Sequence, residues 1–222
     1  MDELITPDEL SRHAPGELTM DSAPFGWEGV RLRGYRYAPS DVQGPGMRDY
    51  LIVVCTDGVA LTNRNCGNGW RTEQFAPGNV SLLTRAVQSH WRWNEEIEVT
   101  HLYLSPGAVA NIAAQVYDRD AQEIELRDVL RADDSVLSGI ITCLTGELRQ
   151  GGVGGRLYVE SLKTQACLHV LRHYANVVFR EPSNSGGLSR TQHRLVEQFI
   201  DEHLEQDISL ADLAGVVQLS TL

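Results

Sequence analysis

The sequence predicts an α+β fold, in which a β-barrel is followed by an antiparallel helical pair and then by a shorter all-α segment. Residues 27–104 hold short runs of β-branched and aromatic residues interrupted by Gly and Pro, a pattern typical of sheets. After Ser105 the apolar residues recur every three or four positions, which is typical of amphipathic helices. Residues 181–187 are rich in Ser and Gly, which predicts a linker before a separate C-terminal segment.

The composition excludes several classes of protein. The chain has 222 residues, 42% of them apolar, enough for one ordinary domain and a smaller second unit. Its 19 basic and 30 acidic residues give a net charge of −11, which excludes a basic surface all over the protein that would hold nucleic acid. No positively charged leader and no apolar run of roughly 20 residues is present, so we expect no membrane segment. Four cysteines without a CxxC pair predict reduced thiols in a cytoplasmic protein.

The first half of the chain is expected to form an arm and a barrel. Residues 1–26 hold three prolines and scattered charges, which predicts a loosely docked arm. Asp57 and Gly58 both tolerate positive φ, which predicts a hairpin between the apolar runs on either side of them. Residues 97–104 place apolar side chains on both faces of a strand, as in a closed or sandwiched sheet. We expect residues 27–180 to form the main domain.

The second half of this domain is expected to be helical. Ser105 followed by Pro106 predicts the start of a first helix. A second helix is predicted over residues 134–150, with Asp134 as its N-cap, and a third over residues 157–179. Because the apolar stripes of the second and third helices are wide enough for both the barrel and a partner, we expect a homodimer built on these two helices.

Two capping boxes mark the C-terminal segment. Ser189 with Gln192 predicts the start of one amphipathic helix, and Ser209 with Asp212 predicts the start of a shorter one. A tight turn follows, and Ser220 is placed to cap a further helix. A long helix, a short helix, a turn and a capped helix are typical of a helix-turn-helix, in which that further helix would lie in the DNA major groove.

Residues 188–222 resemble the beginning of the DNA-binding domain of AraC-family transcription regulators. The matching positions are Ile208-Ser209-Leu210, Leu213-Ala214 and Leu219-Ser220. Gln218 departs from the family, which usually has glycine in this turn. The resemblance implies that the recognition helix begins at about Ser220 and is absent from this chain.

The resemblance extends more weakly to residues 27–180, through the order of elements and the segments APGNVSLL and LYLSP. In this family the corresponding region holds a cupin-like barrel for a small-molecule effector and a helical pair for dimerisation. The resemblance therefore implies a transcription regulator, not an enzyme, with no cofactor and with promoter DNA as the partner of the full-length parent. Residues 188–222 hold two basic and six acidic side chains, so we expect this chain alone not to bind duplex DNA measurably.

Aromatic and polar side chains of the predicted strands are the candidates for an effector pocket, because such pockets combine apolar walls with a few polar groups. These candidates are Arg36, Arg71, His90, Trp91, Trp93, His101 and Tyr103.

A second interpretation is a cupin-like metalloenzyme or small-molecule-binding protein with a helical tail. His90 and His101 with Glu73 or Glu95 could contribute ligands, but two histidines eleven positions apart without a third do not predict a metal site. His169 and His173 lie one turn apart, and we expect them on a solvated or subunit-facing helix surface.

Overall fold

The structure, a computed structural model, describes residues 4–117, 121–151, 154–179, 188, 190–204 and 208–217. The predicted linker over residues 181–187, the predicted cap at Ser189 and the predicted helix start at Ser220 lie outside these residues. None of the described helices is both long and apolar enough to cross a membrane.

Twelve strands and five α-helices form within the described residues. The strands are β1 Glu17–Asp21, β2 Val30–Tyr37, β3 Ser40–Gly44, β4 Tyr50–Asp57, β5 Ala60–Asn65, β6 Trp70–Phe75, β7 Val80–Leu83, β8 Ser89–Trp93, β9 Ile97–Leu104, β10 Ala121–Leu126, β11 Val129–Ala132 and β12 Ala175–Phe179. The helices are α1 Pro106–Tyr117, α2 Ser135–Arg149, α3 Gly155–His173, α4 Arg190–Glu202 and α5 Leu210–Val216.

Two antiparallel sheets face each other and enclose one core. The six-stranded sheet has the order β1-β2-β9-β4-β7-β11, and the four-stranded sheet has the order β3-β8-β5-β6. Side chains from both sheets pack together in this core, including Val53 and Val99 from the first sheet and Phe75 and Trp93 from the second. The predicted α+β fold, with a barrel-like pair of sheets followed by a helical pair, is confirmed.

The other face of the six-stranded sheet packs against helices α1, α2 and α3. Neighbouring residues of β4 show the alternation, because Val53 faces the core between the sheets while Val54 faces the helices. Strand β9 behaves in the same way, with His101 on the inner side and Leu102 on the helix side. Period-two alternation in a sheet covered on both faces explains why nearly every position of these strands is apolar.

The predicted cap of α2 is present. Asp134 Oδ1 accepts hydrogen bonds from the backbone N–H groups of Val136 and Leu137, at 3.0 and 2.9 Å. The apolar stripe of α2 is buried from Leu137 onward, whereas the side chain of Val136 is 47% exposed. One residue of the predicted stripe therefore faces away from the core.

The third helix is shorter than predicted. Helix α3 ends at His173, and residues Ala175–Phe179 form β12, which pairs antiparallel with β10. The prediction of a continuous helix over residues 157–179 is wrong at its C-terminal end. The two valines of this segment favour a strand, and the pairing with β10 supplies backbone hydrogen bonds that a helix extension would otherwise provide.

The N-terminal arm is also more ordered than predicted. Residues Glu17–Asp21 form β1, the edge strand of the six-stranded sheet, and pair with β2. Ile5 and Leu10 are buried in the core between the sheets. Burial of these two apolar side chains fixes a segment whose prolines and charges predicted loose docking.

Strands β4 and β5 do not form the predicted hairpin. They belong to different sheets, so the turn at Asp57-Gly58 carries the chain from one sheet to the other. Gly58 has φ of +81°, and a Cβ at this position would lie 2.5 Å from the carbonyl oxygen of Glu96. The glycine is therefore required by close backbone approach as well as by its φ.

The short helix of the C-terminal segment begins with the predicted capping box. Asp212 N–H donates to Ser209 Oγ at 3.2 Å, and Ser209 N–H donates to Asp212 Oδ2 at 2.9 Å. Helices α4 and α5 contact each other, with Gln192 Nε2 donating to the carbonyl oxygen of Val217 at 3.2 Å.

Candidate functional site

A cavity of about 100 Å³ lies in the core between the two large sheets. Most of its wall is apolar. The apolar lining residues include Leu10, Ala14, Val42, Met47, Leu51, Val53, Phe75, Leu83, Trp91, Trp93, Ile97, Val99 and Leu130. An apolar wall with few polar groups is typical of a binding site for a small organic molecule.

Two hydroxyl groups in the wall have no hydrogen-bond partner among the described residues. They are the buried hydroxyls of Tyr37 and Thr62, and both residues line the cavity. Burial raises the pKa of Tyr37 above its ordinary value, so this phenol is neutral. Unpartnered buried hydroxyls cost free energy, and a ligand with a polar group could satisfy them.

His101 lines the cavity together with the hydroxyl residues Tyr37, Thr62, Ser81 and Ser89. Its Nδ1 atom lies 3.0 Å from the hydroxyl of Tyr103, which is buried beside it. Burial, together with the positive charge of Arg33, lowers the pKa of His101 to about 3. The imidazole is therefore neutral at physiological pH.

Aromatic contacts connect His101 to an ion cluster at the edge of the core. The rings of Tyr35 and Tyr103 both pack against the imidazole of His101, and Arg33 Nη1 donates to the hydroxyl of Tyr35 at 3.3 Å. Arg33 Nη2 in turn lies 2.8 Å from both Asp8 Oδ1 and Asp21 Oδ2. The N-terminal segment thus contributes a carboxylate to the group that holds this network in place.

Arg64 lies behind the wall of the cavity, with only 1% of the residue exposed. Its guanidinium lies 4.8 Å from the ring centre of Trp91, and Nη1 donates to Ser81 Oγ at 2.9 Å. Nη2 lies 2.6 Å from Asp128 Oδ1, close enough for an ion pair. Burial lowers the pKa of Arg64 while Asp128 opposes this shift, so the carboxylate balances a charge that burial disfavours.

Thr62 and Arg64 are not among the residues predicted from the sequence. The register of the four-stranded sheet explains their positions, because Thr62 lies opposite Trp93 and Arg64 lies opposite Trp91. Since opposite residues of paired strands share a face, the inward tryptophans bring Thr62 and Arg64 inward as well.

The structure brings only some of the predicted pocket residues to the cavity. Trp91, Trp93 and His101 line it, and Tyr103 lies directly behind His101. Their contact with an effector stays a prediction.

The remaining three predicted residues lie elsewhere. Arg36 is on the opposite face of β2 from Tyr35 and bonds to Glu17 and Glu98. His90 is on the opposite face of β8 from Trp91 and contacts Asp41. Alternation along each strand explains both positions.

Arg71 is excluded from the cavity for a different reason. It lies on β6, the edge strand of the four-stranded sheet, and 54% of its side chain is exposed. Its Nη1 atom donates to the carbonyl oxygen of Asp128 at 3.3 Å.

The histidines that the second interpretation considers do not come together. His90 contacts Asp41 on one sheet, whereas His101 contacts Tyr103 on the other. Within the described part of the chain, no group of three or more His, Cys, Asp and Glu side chains is placed to hold a metal ion.

Comparison with known proteins gives similar structures but no similar sequences. No protein-family model and no curated protein matches this sequence. The AraC-like transcriptional activator CuxR is similar with a TM-score of 0.47 and 10% identity, covering 87% of this chain and 69% of CuxR. ToxT from Vibrio cholerae O395 has a TM-score of 0.45 and 13% identity, covering 87% of this chain and 71% of ToxT.

A second structure of ToxT from Vibrio cholerae O395 contains bound (E)-4-(8-methylnaphthalen-1-yl)but-3-enoic acid. It has a TM-score of 0.46 and 12% identity, and covers 87% of this chain and 73% of ToxT. The chain is thus similar in structure, over most of its length, to the AraC-like transcriptional activator CuxR and to ToxT.

Proposed function

We propose that this chain is the sensing and dimerising part of an AraC-type transcription regulator. Residues 27–180 form the domain that binds a small-molecule effector, and residues 188–222 begin a helix-turn-helix module for promoter DNA. One observation carries the proposal: a mostly apolar cavity with a few neutral polar groups lies inside the two-sheet core.

The chemistry of the cavity supports binding over catalysis. No Asp, Glu, Lys or Arg is among the described residues that line it. Its one imidazole, His101, has a pKa of about 3, far below the range in which a general base works well at neutral pH. A metalloenzyme would need several ligating side chains to converge, and this lining offers only one histidine.

Exposed apolar side chains on α2 and α3 support a homodimer through these helices. Leu157 is 83% exposed, and Val136 and Tyr158 are each more than a third exposed. Leu157 and Tyr158 are adjacent at the start of α3, whereas Val136 lies at the opposite end of the helical pair. Adjacent exposed apolar side chains are typical of a surface that another protein covers. Because α3 ends at His173, we propose that the interface uses α2 and α3 and not the strand that follows them.

The C-terminal segment supports the regulator assignment through its local geometry. The capping box of Ser209 and Asp212 marks the start of α5, and a short capped helix after α4 agrees with the resemblance to AraC-type DNA-binding domains. An effector could change promoter binding only if it binds one arrangement of the dimer more tightly than another. The cavity and the dimer helices lie on opposite faces of the same six-stranded sheet, which gives such coupling a physical route.

Thermal unfolding in the presence of a library of small organic molecules tests the proposal, because a ligand that binds the folded state raises the unfolding temperature. We expect several compounds to do so for the unaltered chain. Val53→Phe fills part of the cavity and should abolish the shift. Val178→Phe introduces the same side chain at a half-exposed position of β12 and should preserve it.

Two outcomes contradict the proposal. One is a set of ligands that raise the unfolding temperature of Val53→Phe as much as that of the unaltered chain, which would mean that they bind outside the cavity. The other is stoichiometric iron, zinc or manganese together with turnover of a small substrate, which would favour the metalloenzyme.

A further inference from the structure

We infer that a second binding site, separate from the cavity between the sheets, takes a small organic ammonium ion. The site is a cleft of about 340 Å³ between the segment that precedes β2 and the junction of α2 with α3. Its lining includes Phe25, Trp27, Glu28, Glu147, Arg156 and Glu160. The inference goes beyond the proposed function, because the effector cavity and this cleft share no described lining residue.

Glu147 is a buried carboxylate in the wall of the cleft, with only 5% of the residue exposed. Its Oε1 atom accepts a hydrogen bond from Gly155 N–H at 3.1 Å, at the start of α3. Its Oε2 atom lies beside Gly154, where a Cβ would come within 2.7 Å of it. Among the described residues, Oε2 has no hydrogen-bond donor and the carboxylate has no basic partner. Burying a carboxylate without a cation costs free energy, and a bound cation would offset that cost.

The other charged side chains at the cleft are paired with one another. Arg156 contacts Glu28, and Nζ of Lys163 lies 2.6 Å from Oε2 of Glu160. Lys163 Nζ also donates to the carbonyl oxygen of Glu28 at 3.1 Å. These two basic side chains therefore do not neutralise Glu147. Since the described lining holds three carboxylates and one guanidinium, it favours a cationic ligand over an anionic one.

Two aromatic rings in the same cleft favour an organic cation. The ring centroids of Phe25 and Trp27 lie 6.1 Å apart, and the ring planes are inclined by 49°. A cation close to the face of such a ring is attracted by its quadrupole, most strongly at tryptophan, and groups of aromatic rings bind ammonium ligands in other proteins. The cleft thus combines a buried carboxylate with aromatic surface.

The ligating groups and the volume favour an organic ion over a metal ion. In the part of the chain that the structure describes, no group of three or more His, Cys, Asp and Glu side chains could hold a metal ion. A cavity of about 150 Å³ takes one benzene molecule in another protein, so a cleft of about 340 Å³ has room for an ammonium group on a short alkyl chain. We expect the ammonium N–H to donate to Oε2 of Glu147 and the alkyl chain to contact Trp27.

Butylammonium and 1-butanol test the inference, because they are equal in length and differ in charge. Binding is followed at pH 7.5 and constant ionic strength by the indole N–H resonance of Trp27, which lines the cleft. Since only the ion gains both a charge-assisted hydrogen bond and a cation–π contact, we expect butylammonium to bind at least tenfold more tightly than 1-butanol. Equal binding of the two overturns the inference.

Three variants test the role of the carboxylate. Glu147→Gln keeps an oxygen for Gly155 N–H but removes the charge, so it should weaken butylammonium binding at least tenfold and leave 1-butanol binding unchanged. Arg156→Gln removes an exposed cation from the lining and should tighten butylammonium binding about threefold. Glu73→Gln is the matched control, because Glu73 is exposed on β6, and it should bind both probes as the unaltered chain does.

Several outcomes would overturn the inference. If Glu73→Gln weakens binding as much as Glu147→Gln, the amine is attracted to the acidic surface in general and not to this cleft. If Glu147→Gln still binds butylammonium tightly, or if Arg156→Gln weakens that binding, the carboxylate does not hold the ion. Val53→Phe should leave butylammonium binding unchanged, and a loss in this variant would place the amine in the effector cavity. Failure of the ammonium site leaves the proposed effector cavity standing.

Discussion

The imidazole Nε2 of His169 lies 2.7 Å from Oδ2 of Asp134. The hydroxyl of Tyr174 donates to the same oxygen at 2.7 Å, while the other carboxylate oxygen caps α2. Although burial opposes its ionisation, these hydrogen bonds hold the pKa of Asp134 below its ordinary value. One carboxylate therefore joins the start of α2 to the end of α3, and His169 lies at this junction and not on a solvated surface.

Replacing Asp134 should lower the stability of the helical pair. We expect Asp134→Ala to reduce the free energy of unfolding by about 2 kcal/mol, because it removes an N-cap and leaves two polar groups unpaired. Asp134→Ser keeps a capping oxygen but does not reach His169 or Tyr174, so its loss should be about half as large. Urea unfolding measures both, and equal losses would show that the contacts to α3 contribute nothing.

Removing an unpartnered hydroxyl from the wall of the cavity should raise the stability of the protein. We expect Thr62→Val to raise the free energy of unfolding by about 1 kcal/mol in the absence of ligand, since it replaces a buried, unpaired Oγ1 with a methyl group. Thr142→Val is the matched control, because the Thr142 hydroxyl is exposed and donates to the carbonyl oxygen of Ser138 at 2.8 Å. A loss of stability in Thr62→Val would mean that its hydroxyl has a partner.

His101 should make the fold less stable in acid. Its pKa falls from an ordinary value near 6.5 to about 3 on folding, so between these values the unfolded chain binds a proton that the folded chain does not. The free energy of unfolding is therefore unaffected by this titration above about pH 6.5. As the pH falls from there toward 3, His101 lowers the free energy of unfolding by about 1.4 kcal/mol per pH unit.

The variant His101→Gln isolates this contribution, because it does not titrate. The difference in stability between the unaltered chain and His101→Gln should shrink as the pH is lowered from 7 to 4.5 in urea-unfolding measurements. The neighbouring groups Tyr35, Tyr37 and Tyr103 stay neutral over this range, and Arg33 stays charged. A difference that does not change with pH would contradict the buried, neutral imidazole.

A charge on the helical layer should dissociate the proposed dimer. Light scattering at tens of micromolar should show a dimer for the unaltered chain and a monomer for Leu157→Glu. Leu61→Glu places the same charge at an exposed position of β5 and should leave the dimer intact. If the unaltered chain is a monomer, or if Leu157→Glu is still a dimer, the proposed interface through α3 is wrong.

The chain should not form a stable complex with duplex DNA on its own. Residues 188–222 hold two basic and six acidic side chains, and phosphate contacts need the opposite balance. A gel-shift experiment at low salt measures this. A tight, sequence-dependent complex would contradict the prediction.

Features encoded within a few neighbouring residues were predictable from the sequence. Ser105 Oγ accepts from Ala108 N–H at 3.2 Å, and Asp134 and Ser209 cap the helices that their positions predict. The alternation of side chains between the two faces of β9 and the apolar stripe of α2 also depend only on nearby residues. Caps and periodicity depend on residues at most a few positions apart, so the sequence alone determined where most helices begin and which strand faces are apolar.

Only the tertiary structure decided which strands pair and where the cavity lies. Strand β12 exists because β10 is beside it, and β4 and β5 separate because their partners lie in different sheets. Arg64 is buried because Asp128, far along the chain, neutralises it. These outcomes depend on contacts between segments that are distant in the sequence. Local sequence patterns do not predict the free energies of such contacts.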